Sequence, residues 1–306
     1  ATGLPNYISG TEPGRAGVDV YSFGAAWLGP SYVPFNVPGD PGEAGFTVRN
    51  LSVDKVASSR LEDRVQLLQG FDRLRRGIDE SGVMQAMDQF NRQAVSMLTS
   101  DAARTAFDLT QEPAELRDRY GRHCWGQRAL LARRLVEAGC SFVTMVMENP
   151  HIPGTFYNWD THAVNHDNFI DMRLRLPMYD RVITALVEDL HDRGLTKKVL
   201  LVVTGEFGRS PKISKADGGA KGMRLGREHW PQSMSVLVSG GGLKMGQVVG
   251  STDKLGTHPH ENRLAPEDLW ATVYRHLDID PHAFIYDPQQ RPVPILPGGQ
   301  PIRELL

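Results

Sequence analysis

The run Lys198-Val-Leu-Leu-Val-Val-Thr204 limits the architectures open to this chain more than any other segment. Its Leu and Val side chains follow one another without polar alternation, which predicts a strand buried on both faces, the habit of a parallel sheet covered by helices. It empties into Gly205-Glu206-Phe207-Gly208-Arg209, and a Gly-rich basic loop then returns to Arg227-Glu228-His229-Trp230. Ligands of open α/β sheets bind just beyond the carboxyl ends of such strands. The pattern therefore places Glu206, Arg209 and His229 where chemistry is expected.

The segments around this strand alternate in type from Gly139 onward. A helix over Gly126–Glu137 stops at Gly139 and runs into the strand Ser141–Met147. A loop bearing Trp159-Asp160-Thr161-His162 follows, then a helix from Pro177 to Asp192 with Tyr179, Val182, Ile183, Leu186 and Leu190 facing inward, Pro177 suiting its first turn. A second short strand, Met234–Ser239, is closed by three glycines, and an amphipathic helix spans Ala265–Leu277. Strand, helix and strand in this order predict βαβ units and a parallel sheet over residues 139–306. Residues 59–138 read as mainly α-helical, with Leu61, Val65, Leu68, Phe71 and Leu74 on one face, then Met84, Met87, Phe90, Val95 and Leu98. Ser100 is placed to cap a helix that Asp108–Pro113 ends. Residues 1–58, rich in Gly, Pro and aromatics, read as an irregular, extended segment packed on the core.

Composition excludes several classes. With 306 residues, 40% hydrophobic and 23% charged, the chain is long enough for one large α/β domain or two smaller ones. A formal net charge of −2, with no basic helix or nucleic-acid motif, argues against a nucleic-acid partner. No apolar run approaches the ~20 residues that cross a bilayer. Cys124 and Cys140, the only cysteines, sit in or beside an apolar helix-to-strand unit and read as buried free thiols. A phosphate-binding P-loop, a nucleophile elbow and a dinucleotide fingerprint are all lacking.

Asp160, His162, Glu206 and His229 lie in two loops that each follow a predicted strand, so the four can converge at one sheet edge. Carboxylate and imidazole donors together suit zinc, manganese or iron. The alternative for Asp160-Thr161-His162 is a hydrogen-bonded turn anchored by the Trp159 indole. His166 stands at helical spacing from His162, but Asn165 and Asp167 make it equally a cap or turn residue. The pair His258 and His260 can also bind metal, although it lies in a loop. Arg209 is placed either to fork onto phosphate, sulfate or carboxylate, or to pair with Glu206 or Glu228. Lys212, Lys215, Lys221, Arg224 and Arg227 form either a solvated loop or a cover for an anionic substrate.

From Leu116 on, the chain resembles the family known as domain of unknown function 1501, related to the alkaline phosphatase and sulfatase superfamily. The segments that carry the resemblance are Arg119-Tyr-Gly121, Leu131-Ala-Arg-Arg-Leu-Val-Glu-Ala-Gly139, Trp159-Asp-Thr-His162, Gly205-Glu-Phe-Gly-Arg209, Gly226-Arg227 with His229-Trp230, Gly250-Ser-Thr-Asp253 and Pro266-Glu-Asp-Leu269. The resemblance implies an α/β fold with an alkaline-phosphatase-like, mainly parallel sheet flanked by helices. It also implies metal-assisted hydrolysis of phosphate or sulfate esters, with Asp160, His162, Glu206 and His229 as metal ligands for zinc, manganese or calcium. Glu206, Arg209 and His229 would take the catalytic roles, and the substrate would be an anionic ester or a sulfated or phosphorylated glycan. Glu206-Phe207 stands where catalytic relatives carry a metal-binding Asp-His pair, which supports the alternative of a non-catalytic surface, assembly or glycan-binding protein. Family members begin with a twin-arginine export signal, so the expected location is the periplasm or cell surface. Relative to them the chain reads as the C-terminal two-thirds, with the front expected as a separate fragment or replaced by another subunit.

Overall fold

A computed structural model of the chain describes residues 2–11, 24–48, 93–98, 100–287 and 289–306. The helical faces expected at Leu61–Leu74 and Met84–Phe90 lie outside the described residues. The chain divides into two compact units, Ala1–Met147 and Glu148–Leu306.

In the first unit, β1 (Tyr7–Thr11) lies between β2 (Phe35–Pro38) and β3 (Phe142–Met145) in a parallel sheet. The segment expected to lie over the core in irregular form thus supplies the central strand. Gly10 leaves room for the Met145 side chain, whose Sδ would lie 2.2 Å from a Cβ there. Helical residues 93–98 precede α1 (Asp101–Phe107), which Ser100 caps by accepting the Ala103 N–H at 3.1 Å. α2 (Ala114–Tyr120) then leads to α3 (Cys124–Glu137), whose Trp125, Leu130, Leu131 and Leu135 are buried. Arg128 on α3 is also buried, and its guanidinium donates to the carbonyls of Thr11, Gly39 and Val146 at 3.3, 2.8 and 3.1 Å. These carbonyls lie at the carboxyl ends of the three parallel strands, so one cation gathers the strand termini. Both cysteines are buried and free, and burial pushes the Cys140 thiol up to about 11.

The second unit is built on α4 (Asn168–Asp192), which begins nine residues before the expected start and carries Pro177 inside it. Asp167 sets the earlier start, since Oδ1 accepts the N–H groups of Phe169 and Ile170 at 3.0 and 2.9 Å. Val182, Ile183, Leu186 and Leu190 are buried, as their spacing predicts. The strand β4 (Leu200–Val203) forms where the apolar run places it, but its partner β9 (Leu237–Gly240) runs antiparallel. No α-helix occurs between them. The intervening chain is made of β5 (Gly208–Arg209), β6 (Ser214–Asp217), β7 (Met223–Gly226), β8 (His229–Trp230) and turns, so the crossover that parallel pairing needs is missing. Accordingly β4 is half-buried rather than enclosed on both faces. Two further hairpins pair β10 (Ser251–Thr252) with β11 (Pro259–Glu261) and β12 (Phe284–Tyr286) with β13 (Pro292–Pro294). Between these hairpins lies α5 (Pro266–His276), which starts with proline and has Asp268 accepting the Ala265 N–H at 2.8 Å. The fold is therefore mixed α/β, with parallel pairing among the described residues confined to β2–β1–β3. No helix among the described residues is long and apolar enough to cross a membrane.

Candidate metal centre

The site lies in the second unit, where the Asp160–His162 loop meets β8. Two buried or half-buried arginines shape that loop through its carbonyls. Arg175 on α4 is fully buried beside the equally buried Asp171, with Nε donating to Oδ2 at 2.9 Å. Its other nitrogens donate to the carbonyls of Glu148, Phe156 and Asn158 at 2.6, 2.9 and 2.9 Å, while its guanidinium lies 4.5 Å from the centre of the Trp159 ring. Arg209 continues the pattern, donating to the carbonyls of Trp159 at 2.5 Å, Thr161 at 2.9 Å and Arg227 at 3.0 Å. Two guanidinium forks thus determine the path of the backbone from 156 to 161.

Smaller polar groups complete the turn. Asn165 donates to the Asp160 carbonyl at 3.1 Å and accepts the His162 N–H at 2.7 Å, so one amide brackets the two functional residues. The second carboxylate oxygen of Asp167 accepts the Leu225 N–H at 2.8 Å, and Asn168 Oδ1 accepts the Arg227 N–H at 3.3 Å. The start of α4 therefore holds the strand leading to His229. Gly226 permits this approach, because a Cβ there would fall 2.2 Å from Ala163 N. Across the short β5–β8 ladder, Arg209 is the register partner of His229.

These constraints bring three donor atoms together. Asp160 Oδ1 lies 2.8 Å from His162 Nε2 and 2.6 Å from His229 Nε2, and the two ring nitrogens are 3.1 Å apart. His162 Nδ1 lies 2.8 Å from Glu228 Oε2, and the other oxygen of Glu228 accepts the Ser214 hydroxyl at 2.8 Å. Side-chain exposure is 15% for His162 and 55% for Asp160, so the cluster opens to solvent on its carboxylate side. Hydrogen bonds to His229 and then His162 hold the Asp160 carboxyl below the usual carboxylate range. The Ser214 hydroxyl and then His162 do the same for Glu228. Burial is the largest influence on Arg209 and lowers its pKa, against the opposing charges of Asp160, Glu228 and Glu206.

Asp160, His162 and His229 converge as the sequence pattern predicts, and they form a group able to hold a metal ion. Two imidazoles and a carboxylate are a donor set suited to a first-row divalent ion. Two donors bound at ~2.0–2.1 Å to a tetrahedral ion stand ~3.3 Å apart, so the three atoms, now 2.6–3.1 Å apart, would spread by a few tenths of an ångström to take one. The structure does not bring Glu206 into this group, and Glu206 instead lies exposed in the charge environment of Arg209. The carboxylate that reaches the cluster is Glu228, whose position directly before His229 is the sequence signal for it. Phe207, in the place expected of a metal-binding imidazole, packs its ring 4.5 Å from that of His229. His166 turns away to donate to the Gly154 carbonyl at 3.1 Å, and His258 lies beside Trp230 and Asp253. Arg224 donates to the carbonyls of Val164 and Asn165 at 2.8 and 3.3 Å, so this member of the basic loop is a structural tie.

Fold and site together define a mixed α/β protein with a His-His-Asp cluster assembled from one loop and strand β8. The chain belongs to the family described as "Protein of unknown function (DUF1501)", which matches residues 1–306. The match extends the resemblance, carried by motifs from Leu116 on, over the whole chain. No curated protein and no solved structure matches it.

Proposed function

We propose that Asp160, His162 and His229 hold a divalent metal ion that assists hydrolysis of a phosphate or sulfate ester, in a protein whose core is related to the alkaline phosphatases. The observation that carries this reading is the approach of three donor atoms to within 3.1 Å of one another. When bound there, a divalent ion supplies Lewis-acid polarisation of an ester oxygen and neutralises developing charge. Arg175, Arg209 and Asn165 hold the donors in place, so little reorganisation is needed at the moment of reaction. Glu206 is the exposed carboxylate beside Arg209 that serves as the acid/base group, and Arg209 adds positive charge for an anionic ester. The export implied by the family resemblance supports a reaction outside the cytoplasm, with a sulfated or phosphorylated glycan as a fitting substrate.

Phe207 favours a second reading, in which the ion is kept for binding or assembly and no ester is cleaved. Its apolar ring packs against that of His229, at the chain position where the resemblance implies a metal-binding imidazole. Hydrolysis of aryl phosphate and aryl sulfate esters, measured after chelation and reloading with zinc or manganese, separates the two. The hydrolase reading predicts ion-dependent turnover that His229→Ala abolishes. Stoichiometric ion uptake with no turnover on either ester class would leave the second reading standing alone.

A further inference from the structure

The ring of His162 faces carboxylates through both of its nitrogens, Glu228 through Nδ1 at 2.8 Å and Asp160 through Nε2 at 2.8 Å. A neutral imidazole carries one N–H, and an ionised carboxylate only accepts, so one proton satisfies only one of these two contacts. Asp160 Oδ1 has a second neighbour in His229 Nε2 at 2.6 Å, whereas Glu228 Oε2 is served by His162 Nδ1. Placing the proton on Nδ1 therefore leaves the fewest acceptors unserved. It also leaves the His162 Nε2 lone pair facing Asp160 Oδ1 and His229 Nε2, where the His229 N–H serves the carboxylate in the metal-free chain and an ion binding among the three atoms displaces that proton. Glu228 is itself oriented, because its other oxygen takes the Ser214 hydroxyl at 2.8 Å and its backbone N–H donates to Ser210 Oγ at 3.0 Å. Carboxylates that accept from the non-ligating nitrogen of a metal-bound histidine fix its tautomer and raise its basicity.

We propose that Glu228 is the positioning residue that keeps the proton of His162 on Nδ1, and that the Nε2, Nε2, carboxylate set so produced selects a zinc-class ion over calcium. This rests on the metal-binding reading above and adds to it the role of Glu228 and the class of ion. Calcium prefers six to eight oxygen donors in a roomy shell, which two imidazole nitrogens do not supply. Glu228 binds no ion itself, and its effect passes through His162.

The test compares the wild-type chain with Glu228→Gln and Glu228→Leu. Imidazole ¹⁵N spectra of the chelator-treated proteins report the His162 tautomer without any metal, and calorimetric titration with Zn²⁺ and with Ca²⁺ reports ion choice. The expected result is an Nδ1-protonated His162 in the wild type that shifts to the Nε2-protonated form in Glu228→Leu, with zinc affinity falling ~10–100-fold. Glu228→Gln, which keeps a carbonyl acceptor and nearly the same shape, falls between the two and covers the case in which Glu228→Leu does not fold. An unchanged tautomer together with zinc affinity within about twofold of wild type in both variants overturns the role of Glu228. Calcium binding as tight as zinc overturns the ion class. A wild-type chain that takes up neither ion overturns the metal reading itself, and the metal-free spectra then still decide whether Glu228 positions His162.

Discussion

Replacing Asp171 by Asn removes one charge from a pair in which both side chains are fully buried, with almost no change in shape. Asp171 accepts three hydrogen bonds, from Arg175 Nε at 2.9 Å, Arg175 Nη2 at 3.2 Å and the Phe156 N–H at 2.7 Å, with His166 Nε2 3.9 Å away. Asparagine keeps one acceptor oxygen but turns an N–H₂ group toward the Arg175 or Phe156 donors. Breaking one partner of a buried ion pair costs ~3–5 kcal/mol. The carbonyls of Glu148, Phe156 and Asn158 and the face of Trp159 still compensate part of the Arg175 charge, so the lower end, about 3 kcal/mol, is expected here. For a unit the size of Glu148–Leu306, about 3 kcal/mol corresponds to a fall in Tm of roughly 6–12 °C. Calorimetry and urea denaturation of Asp171→Asn measure it. Because the same contacts shape the backbone leading to Asp160, zinc affinity should fall as well. A loss below about 1 kcal/mol, the range of an exposed pair, would refute the claim that this ion pair anchors the site loop.

Asn165→Ala should cost about 1–2 kcal/mol in urea denaturation. It should weaken zinc binding by more than that stability loss suggests, since Asp160 and His162 lose their common bracket. Gly226→Ala should cost ~1–3 kcal/mol by forcing β7 away from Ala163, and unchanged denaturation would contradict the close approach. The Asp253 carboxyl is held down to about 2 by the Thr257 hydroxyl first, then by the backbone N–H groups of Thr257, Leu255 and His258. Its folded pKa is depressed, so its contribution is complete above the ordinary value of 3.8 and is lost as pH falls from there to about 2. A ¹³C titration of Asp253 with a midpoint at 3.8 would contradict that network.

The parts of the fold that were legible in the sequence are those with long, uniform patterns. The inward face of α4 follows from helical spacing at Val182, Ile183, Leu186 and Leu190, and α5 from Pro266 with its acidic first turn. β1 was not legible, because Tyr7–Thr11 holds polar Ser9 and Thr11 in a buried central strand and contains Gly10 for close packing rather than as a breaker. The antiparallel return of β9 was hidden for a different reason. An apolar run shows that a strand is sheltered, but pairing direction depends on what connects the strands, and the Gly-rich loop folds into short hairpins with no crossover helix. At the site, Asp160, His162 and His229 could be named from their types and positions. Arg175 and Glu228 act through contacts with residues distant in sequence, Glu228 being marked only by its place before His229, while Asn165 closes a local turn whose partners its residue type does not name. Arg209 lies in β5, just beyond β4, and its guanidinium is engaged with three carbonyls, a use that residue type alone does not distinguish from anion binding.

Metal content measured by elemental analysis on chain purified without chelator, beside His162→Ala and His229→Ala, tests the central claim most directly. The account predicts about one first-row divalent ion per wild-type chain and its loss from both folded variants. A wild-type chain that stays metal-free after incubation with zinc and manganese, or variants that retain the ion, would contradict it.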